Sequence, residues 1–170
     1  GGVAVSSVPA DVRMETYVRG KTVDAFLAAS EKVDKALRAG AMAVGAEVTI
    51  TTLPGYLPIK NDDLMLDLFE RNAASLVGKE NLTRLNHRTG STDMGDVSQL
   101  MPVIHPYTVA ASGVGHGDDY LIKDYELGVT IPAQAMAMTV VDLLADGAAK
   151  AQEAKTKYKA PMSKEQYLSK

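Results

Sequence analysis

The sequence predicts an α/β protein of the α+β kind, built from two units, and three observations carry that prediction. Apolar and polar residues alternate over residues 12–19 and again over 47–52, as half-buried strands require. Between those segments, apolar residues recur at helical spacing. The turn-rich stretch Leu53-Pro54-Gly55-Tyr56-Leu57-Pro58 then separates this first unit from a second one of helices and glycine-rich loops.

In the first unit, Val12, Met14, Thr16 and Val18 share one strand face and Arg13, Glu15, Tyr17 and Arg19 the other, so Arg19 points away from the core. The apolar run over residues 1–7, ended by Pro9, adds a second strand and a hairpin-like pair. Thr22 caps a helix with Val23, Phe26, Leu27, Val33, Leu37, Ala41 and Val44 on its apolar side. Glu31 to Lys35 and Asp34 to Arg38 form four-apart pairs on its wet side, and Gly45 ends it. Strand, strand, helix, strand is most of a small α/β sandwich, short of one helix and one edge strand.

The second unit opens with Asn61 capping a helix that has Asp62 and Asp63 in its first turn and Leu64, Met65, Leu68, Phe69 and Leu76 as its buried stripe, before Gly78 stops it. Residues 83–120 carry all three histidines and two clusters rich in Gly, Ser and Asp, the composition of loops on a strand scaffold. Thr130 then caps a long helix with Pro132 in its first turn and a stripe of Ala133, Met136, Ala137, Val140, Val141 and Leu144. The tail from Ala160 is expected to be weakly ordered.

Composition excludes several function classes. The chain has 170 residues, 46% of them hydrophobic and 23% charged, with a net charge of −3, so it can bury a core and belongs with ordinary globular sequences. Basic residues are scattered, and the densest run, residues 150–159, includes Glu153; this argues against a nucleic-acid partner, and nothing points to a membrane. The absence of cysteine removes disulfides, thiolate nucleophiles and cysteine metal sites, and makes the cytoplasm the expected compartment. The start at Gly1-Gly2 reads as a cut boundary rather than a natural beginning.

Two loops could carry chemistry. Thr89-Gly90-Ser91-Thr92-Asp93-Met94-Gly95-Asp96-Val97-Ser98 reads either as a turn whose side chains bond their own backbone or as a loop that brings polar groups to a ligand. Gly113-Val114-Gly115-His116-Gly117-Asp118-Asp119-Tyr120 sets one histidine among glycines, where an imidazole can reach a metal or can simply be hydrogen-bonded. A catalytic zinc needs about three protein ligands and an open position. Neither His87 nor His105 has the spacing that would pair it with His116. No Gly-x-Ser-x-Gly elbow, phosphate loop or dinucleotide fingerprint occurs.

Several segments, in order, resemble the zinc-dependent aminoacylase and N-acyl-amino-acid amidohydrolase family of metallopeptidases, with the branch of aminobenzoyl-glutamate hydrolase nearest. They are Val8-Pro9-Ala10 with Tyr17-Val18-Arg19, the block from Gly90 to Ser98, and Gly115-His116-Gly117 ahead of the last long helix. The Gly-Ser-Thr-Asp-Met-Gly-Asp-Val-Ser block is the most specific. The resemblance implies that residues 1–53 are the second half of a ferredoxin-like lid, or dimerisation, domain, that 54–159 are the C-terminal part of a zinc-peptidase-like α/β catalytic domain, and that 160–170 are a tail.

By that likeness His116 is the last metal ligand, and Arg19 is the lid arginine that holds the substrate carboxylate through a bidentate fork. The other reading of Arg19 is an ordinary exposed strand residue. Asp93, Ser98 and Gly115 would line the substrate site. Two divalent ions, zinc or manganese, a small N-acyl amino acid or dipeptide substrate, and a homodimer formed through the lid are implied as well. Ser7 stands where many members have Asn, and the His-x-Asp motif, the Glu-Glu pair and the lid histidine are absent. The chain alone is therefore expected to be inactive and to bind no metal tightly. The alternative is a non-catalytic α/β module for dimerisation or regulation.

Overall fold

Thr22 opens the first helix by accepting a hydrogen bond from the Ala25 N–H at 3.2 Å, and helix α1 runs Val23–Ala43. Gly45, at φ +70°, turns the chain out of it. Of the two side-chain pairs expected on its wet face, Glu31–Lys35 forms at 2.6 Å; no Asp34–Arg38 ion pair occurs among the described residues. The computed structural model describes residues 2–169 except 87 and 89. His87 and Thr89, considered above, lie outside the described residues, as does Gly1 of the expected first strand.

The chain divides into two compact units, Gly1–Leu53 and Pro54–Lys170. In the first, α1 is the only regular element among the described residues, and none of its residues is fully buried. Among the described residues, the strands expected over 1–7, 12–19 and 47–52 do not form. Their alternation survives in part, because Val48 and Ile50 are half-buried while Glu47, Thr49 and Thr51 are exposed. A strand, however, exists only as one side of a ladder, and among the described residues none of these segments pairs with another. The protein is mostly helical, and its only described sheet has two short strands. Among the described residues, no ferredoxin-like sandwich and no α/β catalytic fold is present.

In the second unit α2 spans Asp63–Val77, and its cap is Asp62, which accepts from the Met65 N–H at 2.9 Å. Asn61, the residue expected there, accepts from the His105 N–H at 3.0 Å instead. A carboxylate at the cap also meets the positive end of the helix dipole, which favours Asp62 over its neutral neighbour. A short 3₁₀ turn, Lys79–Asn81, follows. Helix α3 is Met94–Ser98. Strands β1, Ala111–Ser112, and β2, Leu121–Ile122, pair antiparallel with Ala111 opposite Ile122 and Ser112 opposite Leu121.

Helical geometry then begins before Thr130, in a π turn over Glu126–Thr130, with the Asp124 carboxylate accepting from the Leu127 N–H at 2.9 Å. Thr130 is itself helical and makes no capping bond. Pro132 has no N–H to return to the Gly128 carbonyl, so the turn before it is not held to α geometry. Helix α4 runs Ile131–Lys157 but is broken at Ala145–Ala148, where Asp146, Gly147 and Ala148 take left-handed backbone angles. The tail is not irregular throughout: α5, Lys164–Leu168, starts on a reciprocal capping box between Ser163 and Gln166.

The second unit's apolar core consists of Leu57, Leu68, Ala73, Val103, Ala110, Ala135 and Ala154. Helices α2 and α4 pack against each other, and a polar seam runs through the contact. Buried Asn72 donates to Thr139 Oγ1 at 3.2 Å and to Asp142 Oδ2 at 2.9 Å, and Arg71 Nη2 reaches the same carboxylate oxygen at 3.0 Å. Thr139 donates onward to the Ala135 carbonyl at 2.7 Å, so this row of groups is satisfied where two helices meet.

Asn72 and then Arg71 hold the Asp142 carboxyl below its ordinary value of 3.8. A depressed folded-state value means that the contribution is complete above the unfolded value and is lost as pH falls through the folded one. We therefore expect the Asp142 carboxyl carbon to titrate by NMR below 3.8. Asn72→Ala should raise the midpoint more than Arg71→Ala does; the reverse order would show that the ion pair, not the amide, sets it.

Candidate functional site

The block singled out in the sequence begins as a turn and ends as α3. The Thr92 hydroxyl donates to Asp93 Oδ1 at 3.0 Å, and the Thr92 carbonyl accepts from the Gly95 N–H at 2.9 Å. Asp93 is exposed, while Gly95, Ser98 and Gln99 are buried. This split divides the block into an open rim and a closed base.

Residues 57–60 and Tyr158 hold the base. Ser98 is fully buried; its Oγ accepts from the Lys60 N–H at 3.0 Å and donates to the Gly95 carbonyl at 2.6 Å. Gln99 Nε2 donates to the Pro58 carbonyl at 2.6 Å and to the Gly95 carbonyl at 3.2 Å. The Tyr158 hydroxyl donates to the Ser98 carbonyl, and the Gln99 carbonyl accepts from the Met162 N–H at 3.3 Å. A Cβ on Gly95 would overlap the Leu57 carbonyl, so only glycine lets this close backbone approach form. Burial raises the Tyr158 phenol above its ordinary value, with a smaller contribution from the Asp62 carboxylate, and keeps it a donor. Lys60 Nζ lies 4.5 Å from the centre of the Tyr158 ring and donates to the Lys159 carbonyl.

Ser98 is a member of this clasp. Its hydroxyl is bonded to two backbone groups and to the Gln99 amide and is buried from solvent beneath the rim. Asp93 stays accessible. Gln99 and Tyr158, which the sequence does not mark, are as central to the clasp as Ser98. A glutamine directly after the block and a tyrosine at the end of a distant helix leave no local pattern to reveal them.

The loop that carries His116 joins β1 to β2. Gly113, at φ +98°, makes its first turn, where a Cβ would overlap the Asp119 carbonyl. Asp119 Oδ1 accepts from the Val114 N–H at 3.0 Å, and the Val114 carbonyl accepts from the Gly117 N–H at 2.7 Å. His116 is exposed and left-handed at φ +67°, a region sparsely used by residues other than glycine. Gly115 is exposed with open space around it. Among the described residues, no hydrogen bond joins this loop to residues 91–98.

His105 is placed differently. Its ring meets Tyr107 edge-on with centroids 4.9 Å apart, and its buried Nδ1 has no partner among the described residues. Arg19 lies in the first unit, with its guanidinium 5.2 Å from the centre of the Tyr17 ring. Among the described residues, no group of three or more His, Asp or Glu side chains is arranged to hold a metal ion. One exposed imidazole supplies a single ligand, so the described residues do not by themselves fit the two-ion centre that the family resemblance implies.

Comparison with known proteins gives a distant likeness. The chain is 28% identical over 153 residues to a protein named Xaa-Arg dipeptidase from Mus musculus, and equally to its namesake from Homo sapiens. Each match covers 85% of this chain, which spans about a third (35%) of the length of these relatives. No family model matches the chain. No solved structure matches it. The chain is thus distantly similar, over most of its length, to part of a dipeptidase.

The clasp sets two expectations. Ser98→Ala leaves the Lys60 N–H without its acceptor and should cost about 1–3 kcal/mol in urea unfolding. Gly95→Ala should cost at least as much, since the group it meets is backbone that cannot swing aside, against about 1–3 kcal/mol for ordinary overpacking. Wild-type stability in either variant would mean that the block is not held this way.

Proposed function

We propose that this chain is part of a metal-dependent peptidase that cleaves a dipeptide-like substrate, and that it is inactive without polypeptide beyond it. The observation that carries this reading is the similarity to Xaa-Arg dipeptidase over 85% of the chain, which spans only about a third of that protein. The Gly90–Ser98 block falls within the chain as a clasped platform with an accessible carboxylate, a form that suits a site rim better than a plain turn.

In this reading the residues have separate tasks. His116 is one ligand of a metal centre whose other ligands lie outside the described residues. The metal, when bound, would polarise an amide carbonyl and activate water. Asp93 and Gly115 edge the substrate site. Arg19 binds the free carboxylate of the substrate, for which a planar guanidinium is suited because it can donate two parallel hydrogen bonds. A dipeptide ending in arginine, the substrate class in the relatives' name, carries such a carboxylate. The first unit then acts as part of a lid, and dimerisation through it belongs to the same proposal.

Calorimetric titration with zinc tests the reading. The chain alone should bind weakly and without dependence on His116, while the longer protein that contains it should hydrolyse Xaa-Arg dipeptides in a zinc-dependent way. His116→Ala in that longer protein should lower activity by about 100-fold or more, beyond the usual effect of losing a group that only supports a ligand. Tight, His116-dependent binding by the chain alone would reveal a complete metal site within it. Absence of hydrolysis by the longer protein would remove the peptidase reading.

A further inference from the structure

Helix α4 buries one side against α2 and leaves its apolar side uncovered. Ala135, Thr139 and Asp142 lie on the side that meets α2. The stripe that the sequence marks for burial, Ala133, Met136, Ala137, Val140, Val141 and Leu144, is exposed, with Met136, Val140, Val141 and Leu144 at 55%, 52%, 67% and 63%. A contiguous exposed apolar stripe marks an interaction surface.

Three occupants can be weighed. A bilayer is suggested by composition, because Glu126–Lys157 is long and apolar enough to cross one. Against it, α4 leaves helical geometry at Ala145–Ala148, which frees backbone groups that hydrocarbon cannot satisfy, and Asp142 on the same helix is tied to Arg71 and Asn72. A second copy of the chain would have four large side chains and two alanines to bury here, few against the roughly 20–30 residues a side of a standard interface. The third occupant is further polypeptide of a longer protein. This chain spans 35% of the relatives' length, and its first unit has an α1 without one fully buried residue, so the uncovered apolar surface is not confined to α4. Larger folds bury a greater share of their surface, so further chain would cover apolar surface that both units leave exposed.

We infer that the Ala133–Leu144 stripe of α4 is the seat for an apolar helix or sheet face contributed by the remainder of a longer peptidase chain, an inference that rests on the functional reading above. The alternation of Ala133 and Ala137 with Met136 and Val140 gives a groove between ridges, which suits a partner face of branched aliphatic residues. Gln134 flanks the stripe and would lie at the rim of that contact.

The test is to express the whole chain together with the polypeptide encoded beside it in the same reading frame, supplied as a separate chain, and to follow hydrogen exchange along α4. The expected result is association, with new protection over residues 133–144. The Val140→Asp and Leu144→Asp double variant should weaken association about tenfold or more, because each buries an unpaired carboxylate. Lys155→Asp, off the stripe, should not. Both substituted positions are exposed in the chain alone, so its circular dichroism should not change, and the exchange measurement on the unaltered chain needs no variant.

The inference is overturned if the frame encodes no such polypeptide, if association leaves residues 133–144 unprotected, or if the double variant associates normally. It is equally overturned if the stripe is already protected in a homodimer seen by light scattering, or if the chain partitions into phosphatidylcholine vesicles through α4. Zinc-dependent hydrolysis of an Xaa-Arg dipeptide in the same samples separates the two readings. Stripe-dependent association without hydrolysis sinks the peptidase reading alone; hydrolysis that survives the double variant sinks the docking surface alone.

Discussion

The second unit depends on one buried hydroxyl. Ser98 accepts from the Lys60 backbone and donates to the Gly95 carbonyl, while its own carbonyl takes the Tyr158 hydroxyl. Three stretches far apart in sequence therefore meet at one residue: the segment entering α2, helix α3, and the end of α4. None of these contacts has the area of a hydrophobic interface. Their weight comes from burial, because a polar group deprived of water must find a partner within the protein or forfeit its desolvation energy.

The same constraint explains why the unit's two long helices are joined by a polar seam and not by apolar packing alone. Asn72 can satisfy Thr139 and Asp142 together only when α2 and α4 hold one register, so the seam selects an alignment that a greasy contact would leave free to slide. Apolar residues supply the adhesion around it, with Leu68, Ala73 and Ala135 buried nearby in sequence to the seam.

Much of the helical structure is legible in the sequence, and little of the sheet. Local chemistry marks helices: Thr22 caps α1 and Gly45 turns the chain away from it, both within a few residues of their partners. The sequence places the α2 start one residue early because Asn61 and Asp62 are both competent caps, and only the distant His105 N–H shows which of them is taken up elsewhere. Strands need a partner that no local pattern can supply, so the alternation of residues 12–19 and 47–52 is real as a pattern but forms no ladder. The site divides in the same way. The Gly90–Ser98 block stands out by composition, yet which of its groups face solvent depends on Gln99 and Tyr158, whose roles come from long-range contact. The α4 stripe is apolar as its spacing indicates but not covered, since periodicity reports what a face is made of and not what lies against it.

The left-handed step at Ala145–Ala148 has a mechanical meaning. A continuous α-helix is a stiff rod, and a push on one end is delivered to the other. Here the rod is cut into two levers by residues that leave helical geometry. The first lever is geared to α2 through Thr139 and Asp142, and the second reaches the Ser98 clasp through Tyr158. The joint thus sets the part of α4 that is geared to α2 apart from the part that reaches the platform beneath Asp93.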